Sequence, residues 1–571
     1  MTVRRSLALL ALGVGLMILV TSALVVLSRG AGGRVPRRAV LTVTLGDDLP
    51  EESPSSFLGR ILSGEHRTYG DLVELFHRAA LDRRVEAIVA RITPSDLGWA
   101  RIQELRDAMR DFSNHGKILA CHAELLDTPS YFLGAACDTL DQPPTGAFSV
   151  PGVAVEVEFY RGLLGKVGVE ADMEHIGEYK SASEPLTRES PSPPAREQIE
   201  SMLDETFNAI VAGVAEDRGL EARKVRGLLD RGLLTPDQAV DDGLVDDLRY
   251  YDEVLDDVKD QVGSNAEEVD EADYLRQVRV GRQVGRDRIA VVYATGMIVG
   301  GESGQNGLLG QLLGSETVIQ VLQDLRDESS VKAVVLRIDS PGGSGSASDA
   351  IWRETQRLRE EKPLVVSMGD VAASGGYWIA MGADAIVAEP LTVTGSIGVV
   401  GGKFVLKPFY DWIGLSKATL KRGRNADLYS DTTRFTPEQR LLVRESMLAL
   451  YHEFLSRASD GRNRTEAEID AVARGRVWTG EQARQRGLVD EIGGLETDIA
   501  RARKLAKIPE GRPVRIDLYP RAKGWLESLA SLEDARTLGA RSPESLLGVP
   551  VVDRLARERV LALMPFRLAP R

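Results

Sequence analysis

Two cysteines and six histidines are the whole stock of soft metal-binding side chains in these 571 residues, which excludes both a disulfide scaffold and a four-cysteine zinc site. The histidines, at positions 66, 77, 115, 122, 175 and 452, show no HExxH run or other ligand spacing, so neither a metal nor a cofactor is expected. Cys121 and Cys137 read as two free, buried, inert thiols, with a bridge as the alternative if the body faces an oxidising compartment. Positive charge is also short. Lys and Arg number 71 against 85 Asp and Glu, a net charge of -14 with pI near 5.2, and nucleic-acid binding would need concentrated basic residues that this chain scatters. With 43% hydrophobic and 27% charged residues the chain is neither disordered nor fibrous, and it is long enough for two or three domains.

Only one stretch is long and uncharged. Residues 6–28 would span about 34 Å as a helix at about 1.5 Å per residue, against roughly 30 Å of bilayer core, so a single membrane anchor is expected. A cleaved signal peptide would have an apolar region of only about 7 to 15 residues. Arg4 and Arg5 precede the span while Arg29, Arg34, Arg37 and Arg38 follow it, so arginine counting alone does not place the body outside.

The chain repeats itself. A shift of 246 residues lays VEAIVARI (residues 85–92) on VKAVVLRI (331–338), Tyr131 on Tyr377 and Asp138 on Asp384. Slightly different offsets lay Thr145-Gly146 on Thr394-Gly395 and residues 233–247 on 476–491. Apolar runs of strand length alternate with segments of helical period, so each copy reads as an α/β unit of β-α-β crossovers. We divide the chain into an anchor (1–38), a first repeat (39–256), an acidic linker or surface helix (257–286), a second repeat (287–515) and an extension (516–571) that matches neither copy.

Chemistry-bearing residues differ between the copies. In DVAASGGYWIA (370–380), Ser374 sits in a small-residue turn that opens into an apolar helix, and SPGGS (340–344) follows a buried strand with backbone amides free to turn outward. That pairs a nucleophile with an oxyanion hole. The first copy has Thr128 in place of Ser374, Ala147 in place of Ser396, and no double glycine near Pro94. Conversely, IGEYKSASEP (176–185) carries Lys180 where the second copy has Ala426. A duplicated enzyme that divided its dyad between halves would leave this pattern, and it predicts that the halves dock so that Lys180 reaches Ser374. Taken singly the residues are ordinary: Ser374 a helix cap, Lys180 a solvated lysine, Ser396 a turn serine satisfying an amide. Tyr377, Trp378 and Ile379 are expected to pack the helix into the core.

DSPGGS (339–344), ASGGYW (373–378), TGSIG (394–398) and GEYKSASEP (177–185) together resemble the signal peptide peptidase A (protease IV) family in its tandem form, Ser-Lys peptidases related in fold to Clp protease subunits and crotonases. The likeness covers about residues 40 to 515. It implies Ser374 as nucleophile, Lys180 as general base, Ser396 as the hydroxyl that orients the lysine, and an oxyanion hole from the amides around Gly342, Gly343 and Gly375. It also implies cleaved signal peptides and other short apolar peptides as substrates, a body on the periplasmic side of an inner membrane, and a homo-oligomer, commonly a tetramer. An unaided lysine suits this chemistry poorly, since only about 4 in 10⁴ amines are neutral at pH 7; burial between two half-domains would disfavour the ammonium. Two rivals remain: a crotonase-type acyl-thioester enzyme, which would need carboxylate bases and a nucleotide-binding surface, and an anchored scaffold without activity.

Overall fold

The runs VEAIVARI and VKAVVLRI are rich in β-branched residues and bury nearly every position, as strands covered on both faces do. Each is the centre of a parallel sheet. The computed structural model describes residues 35–46, 49–51, 67–282, 284–306, 310–521 and 560–563. Its first half contributes β1 (Ala39–Leu45), β2 (Val85–Ile92), β3 (Ile118–Ala123), β4 (Leu125–Leu126), β5 (Thr139–Gln142), β6 (Ala147–Ser149), β7 (Glu170–Ile176), β8 (Leu233–Leu234), β9 (Asp247–Leu248) and β10 (Glu267–Asp270). The second half contributes β11 (Asp287–Thr295), β12 (Met297–Val299), β13 (Gly304–Asn306), β14 (Gly310–Gly314), β15 (Val331–Ser340), β16 (Gly342–Ser344), β17 (Leu364–Ala373), β18 (Ala385–Ala388), β19 (Val393–Gly395), β20 (Val399–Val405), β21 (Val477–Thr479), β22 (Glu491–Ile492) and β23 (Val514–Tyr519), and a last strand, β24 (Val560–Leu563), follows.

The duplication is visible in the topology. The order β10-β1-β2-β3-β5-β9 in one half recurs as β23-β11-β15-β17-β18-β22 in the other, parallel throughout. Small polar devices recur with it. Asp138 accepts from the Leu119 amide at 2.8 Å and its counterpart Asp384 from the Leu364 amide at 2.9 Å, each tying the start of one strand to the residue that enters its neighbour. Residues 257–286, read above as a linker, supply β10 to the first sheet beside β1, and β23 runs on to Tyr519, past the boundary at 515. Polar residues hid these edge strands, because a sheet edge needs only one apolar face.

Cys121 and Cys137 form a disulfide, with Cα atoms 6.0 Å apart, which corrects the expectation of free thiols. Cys121 lies near the end of β3 and Cys137 just beyond the helix Thr128–Gly134 that packs back on it, a separation suited to bridging. The expected membrane span, residues 6–28, lies outside the described residues. Among the described residues no helix is long and apolar enough to cross a membrane.

The halves are joined by strand exchange. β7 of the first half pairs antiparallel with β20 of the second over seven residues, Ile176 opposite Val399 through Glu170 opposite Val405. It closes a sheet of order β13-β14-β12-β16-β24-β20-β7. A buried polar seam fixes the same junction: Arg337 donates to Glu104 at 2.8 Å, the Leu391 amide donates to Gln103 at 2.8 Å, and the Arg101 amide donates to Asp370 at 3.1 Å. Removing one partner of a buried ion pair such as Arg337–Glu104 costs about 3–5 kcal/mol, so the halves are held in one relation.

Candidate functional site

Ser374 directly follows β17 and caps the helix Gly375–Ala380 with φ 57° and ψ -111°, a region that residues with a Cβ enter at a cost of about 1–3 kcal/mol. Two backbone bonds enforce the turn: the Ser374 amide donates to the Gly395 carbonyl, and the Ser374 carbonyl accepts from Trp378, both at 2.8 Å. Tyr377, Trp378 and Ile379 are fully buried, as expected, and the Tyr377 hydroxyl donates to the Leu488 carbonyl at 3.0 Å. A helix so anchored holds the strained turn. The Ser374 side chain makes no capping bond, so the simple helix-cap role does not occupy its hydroxyl.

The SPGGS loop abuts this turn. A Cβ on Gly375 would stand 3.1 Å from the Gly342 Cα and 2.6 Å from Ser348 Oγ, and one on Gly343 would stand 2.1 Å from the Ile298 carbonyl. Side chains are therefore excluded where the two glycine segments meet. Gly342 has φ 97°, and its amide donates weakly to Ser340 Oγ at 3.2 Å.

Lys180 arrives by register. With Ile176 opposite Val399 and the strands antiparallel, the chain continuing past β7 runs beside residues that precede Val399, which include Ser396. Nζ of Lys180 lies 2.7 Å from Ser374 Oγ, 3.0 Å from Ser396 Oγ and 2.8 Å from the Ser396 carbonyl. Ser396 has φ 53°, and its amide is held by the Arg476 carbonyl at 2.7 Å. Lys180, Ser374 and Ser396 are each at 0% exposure. Burial lowers the Lys180 pKa well below its ordinary 10.5, and no charged neighbour opposes the shift. A neutral amine here has a lone pair for the Ser374 hydroxyl and two N–H donors for Ser396.

Two positioning groups escaped the sequence reading. Gly475, at φ +81°, leaves room for the lysine loop: a Cβ on it would lie 2.5 Å from both the Cβ and the N of Lys180. Gln198, fully buried on the helix Pro193–Asp217, donates to the Tyr179 carbonyl at 3.1 Å and Ser181 Oγ at 2.9 Å, and accepts from the Val477 amide at 3.2 Å. It clamps the residues on either side of Lys180 to β21. Gly475 lies one residue before the stretch 476–491 that repeats across the copies, and neither it nor a glutamine within a helical pattern gives a signal.

The equivalent place in the first half is silent. Thr128 is buried and donates to the Gly152 carbonyl at 2.9 Å, while Ala426 sits in an exposed stretch. Among the described residues no cluster of His, Cys, Asp or Glu is arranged to hold a metal ion.

One further strand touches the site. β24 pairs antiparallel with both β16 and β20, setting Leu563 opposite Gly342, Ala562 opposite Gly343, and Leu561 opposite both Ser344 and Val400. An extended backbone thus fits between the glycine loop and β20.

The sequence profile of peptidase family S49 matches residues 110–265 and again 356–509, and that of Clp protease matches residues 313–388. The chain is 36% identical to "Serine protease SPPA, chloroplastic" of Arabidopsis thaliana over 539 residues, covering 93% of this chain and 79% of that protein. It is 33% identical to "Protease 4" of Salmonella typhi, covering 79% and 75% of the two chains, and 30% identical to "Protease 4" of Haemophilus influenzae, covering 78% and 74%.

Proposed function

This chain belongs to peptidase family S49 and is a serine peptidase, and we propose that it is a membrane-anchored endopeptidase that cuts short, apolar, extended peptides with Ser374 as nucleophile and Lys180 as general base. The observation that carries the assignment is the 2.7 Å contact between a fully buried lysine amine and the hydroxyl of a serine in a strained turn. Few structural roles call for a buried lysine with no carboxylate partner.

In this reading Ser374 Oγ attacks the substrate carbonyl as its proton passes to Lys180 Nζ. Ser396 receives the two remaining N–H bonds of the amine and aims its lone pair at the hydroxyl. Amides of the Gly342, Gly343 and Gly375 region receive the oxyanion, each donor contributing about 3 kcal/mol; Gly342 would exchange its weak bond to Ser340 for the stronger charged one. Lys180 then gives its proton to the leaving amine, and water, activated by the same amine, releases the acyl group. The slot between β16 and β20 favours unfolded, extended peptides, because only a free strand satisfies both edges. That selectivity suits cleaved signal peptides. The Cys121–Cys137 bridge supports an oxidising, extracytoplasmic location for the body, and residues 6–28 would anchor it.

Ser374→Ala and Lys180→Ala should each lower kcat/KM on an apolar fluorogenic peptide by about 10³-fold or more with far-UV circular dichroism unchanged. Normal turnover by folded Lys180→Ala protein would remove the mechanism.

A further inference from the structure

β7 delivers Lys180, yet its apolar residues fix its position poorly. In EADMEHI (170–176) only Ala171, Met173 and Ile176 are apolar, and the partner strand β20 carries Gly401-Gly402 at its centre. Strands that are polar on both faces or rich in glycine slip readily, and a slip of one residue turns every side chain to the other face and moves the backbone by about 3.3 Å. A shift of that size breaks the 2.7 Å contact between the lysine amine and Ser374.

Three acids on one face of β7 meet arginines of the second half. Asp172, buried, accepts from Arg440 at 2.5 Å and from the Phe435 amide at 2.7 Å. Glu174 accepts from the other branch of the Arg440 fork and, at 3.5 Å, from Arg444, while Glu170 accepts from Arg434 at 2.8 Å. Arg440 and Arg444 stand on the helix Pro437–Arg462, which packs across both β7 and β20. One planar guanidinium therefore spans two alternate positions of the strand, and only one register satisfies both carboxylates. The other copy keeps this arginine and drops the acids. Setting Pro437 on Pro193 lays Arg440 on Arg196, while the 246-residue shift lays Asp172 and Glu174 on Ala418 and Leu420. Arg196 accordingly lies at the surface, 3.6 Å from Glu200 of its own helix, and residues 416–422 are not paired as a strand. The acids occur in the copy that has a lysine to place, and not in the one that has Ala426 there.

With Lys180 as the base, as read above, we propose that Arg440 is a positioning residue: by bridging Asp172 and Glu174 it sets the register of β7 on β20 and so holds Lys180 at Ser374. Its hydrogen bonds are made to β7 rather than to the dyad or to the slot between β16 and β20, so it bears on kcat and not on KM.

In the full chain in detergent, assayed on an apolar fluorogenic peptide, Arg440→Ala should lower kcat at least about tenfold with KM nearly unchanged. It should also move the acid limb of the pH profile upward, because a displaced amine regains water and with it an ordinary lysine pKa; a merely structural role would leave that limb in place. Arg440→Lys, which reaches one carboxylate at a time, should lose less, and Arg196→Ala, in the matched place of the other copy, should lose nothing. Pinning the register by other means should restore the rate: Ala171→Cys with Phe404→Cys, directly opposed across the seam, should recover most of the lost kcat when oxidised in the Arg440→Ala chain, where both native cysteines are already bonded to each other. If circular dichroism shows Arg440→Ala unfolded, Glu174→Gln carries the same comparison. A wild-type kcat and pH limb in the folded variant, or a loss that the crosslink leaves unchanged, would overturn the proposal. Lys180→Ala assayed alongside separates that outcome from failure of the dyad, which alone would leave Lys180→Ala active.

Discussion

Gly475→Ala disturbs the proposed base without touching its side chain. At φ +81° the new methyl group would lie 2.5 Å from the Lys180 N and Cβ and 2.6 Å from its Cα, about 0.9 Å short of ordinary contact, and an alanine in this left-handed conformation costs about 1–2 kcal/mol besides. Gly475 is itself held by the Ile397 carbonyl at 2.7 Å, so the lysine loop is the side that yields. A retreat of about 0.9 Å stretches the 2.7 Å amine–hydroxyl contact beyond hydrogen-bonding range, and misplacement on that scale costs about 100-fold in rate. We expect kcat on a fluorogenic apolar peptide to fall about 100-fold with KM nearly unchanged, and Tm to drop by a few degrees. A folded Gly475→Ala enzyme with wild-type kcat would show that Lys180 is not held where the chemistry needs it.

Activity should rise with pH through the lowered lysine pKa and level off above it, because only the neutral amine accepts the serine proton; a flat profile from pH 6 to 10 would count against the base. The same shift has a stability sign: the unfolded chain binds the extra proton below about 10.4, so stability rises with pH over the window between the folded and unfolded values, and Lys180→Met should flatten that slope in pH-dependent urea melts. Replacing Cys121 and Cys137 together by alanine opens a loop of 16-residue separation and should cost about 3 kcal/mol, measured by chemical denaturation; an unchanged midpoint would deny the bridge a stabilising role. A chain ending at Arg521 lacks β24, which occupies the slot between β16 and β20. With a tethered strand at an effective concentration on the order of 1 mM, its removal should lower KM up to roughly tenfold at constant kcat, and an added VLALMP peptide should compete.

Ser374 alone reads as a helix cap, and it becomes a candidate nucleophile in sequence only through the SPGGS loop, the TGSIG turn and the complementary losses between the copies. Lys180 could be read only by setting one copy against the other and from the family resemblance of GEYKSASEP (177–185), since nothing beside it in sequence marks it as buried. Its delivery depends on the β7–β20 register, which is a tertiary fact. Gln198 and the cysteine pairing were illegible for the same reason: each depends on which helix packs against which strand. β10 was missed because an acidic edge strand carries too few apolar positions to stand out from a surface helix.

Under the proposed dyad, strand exchange between the halves also sets when the enzyme becomes dangerous. A ribosome that has delivered residue 373 has already made the amine, and after residue 400 it has made the hydroxyls, yet the loop around Gly475 that seats the lysine is still to come. Until that loop is made, while the chain is surrounded by unfolded segments of its own and other nascent chains, the proposed dyad is incomplete. Competence arrives only after most of the chain has been translated.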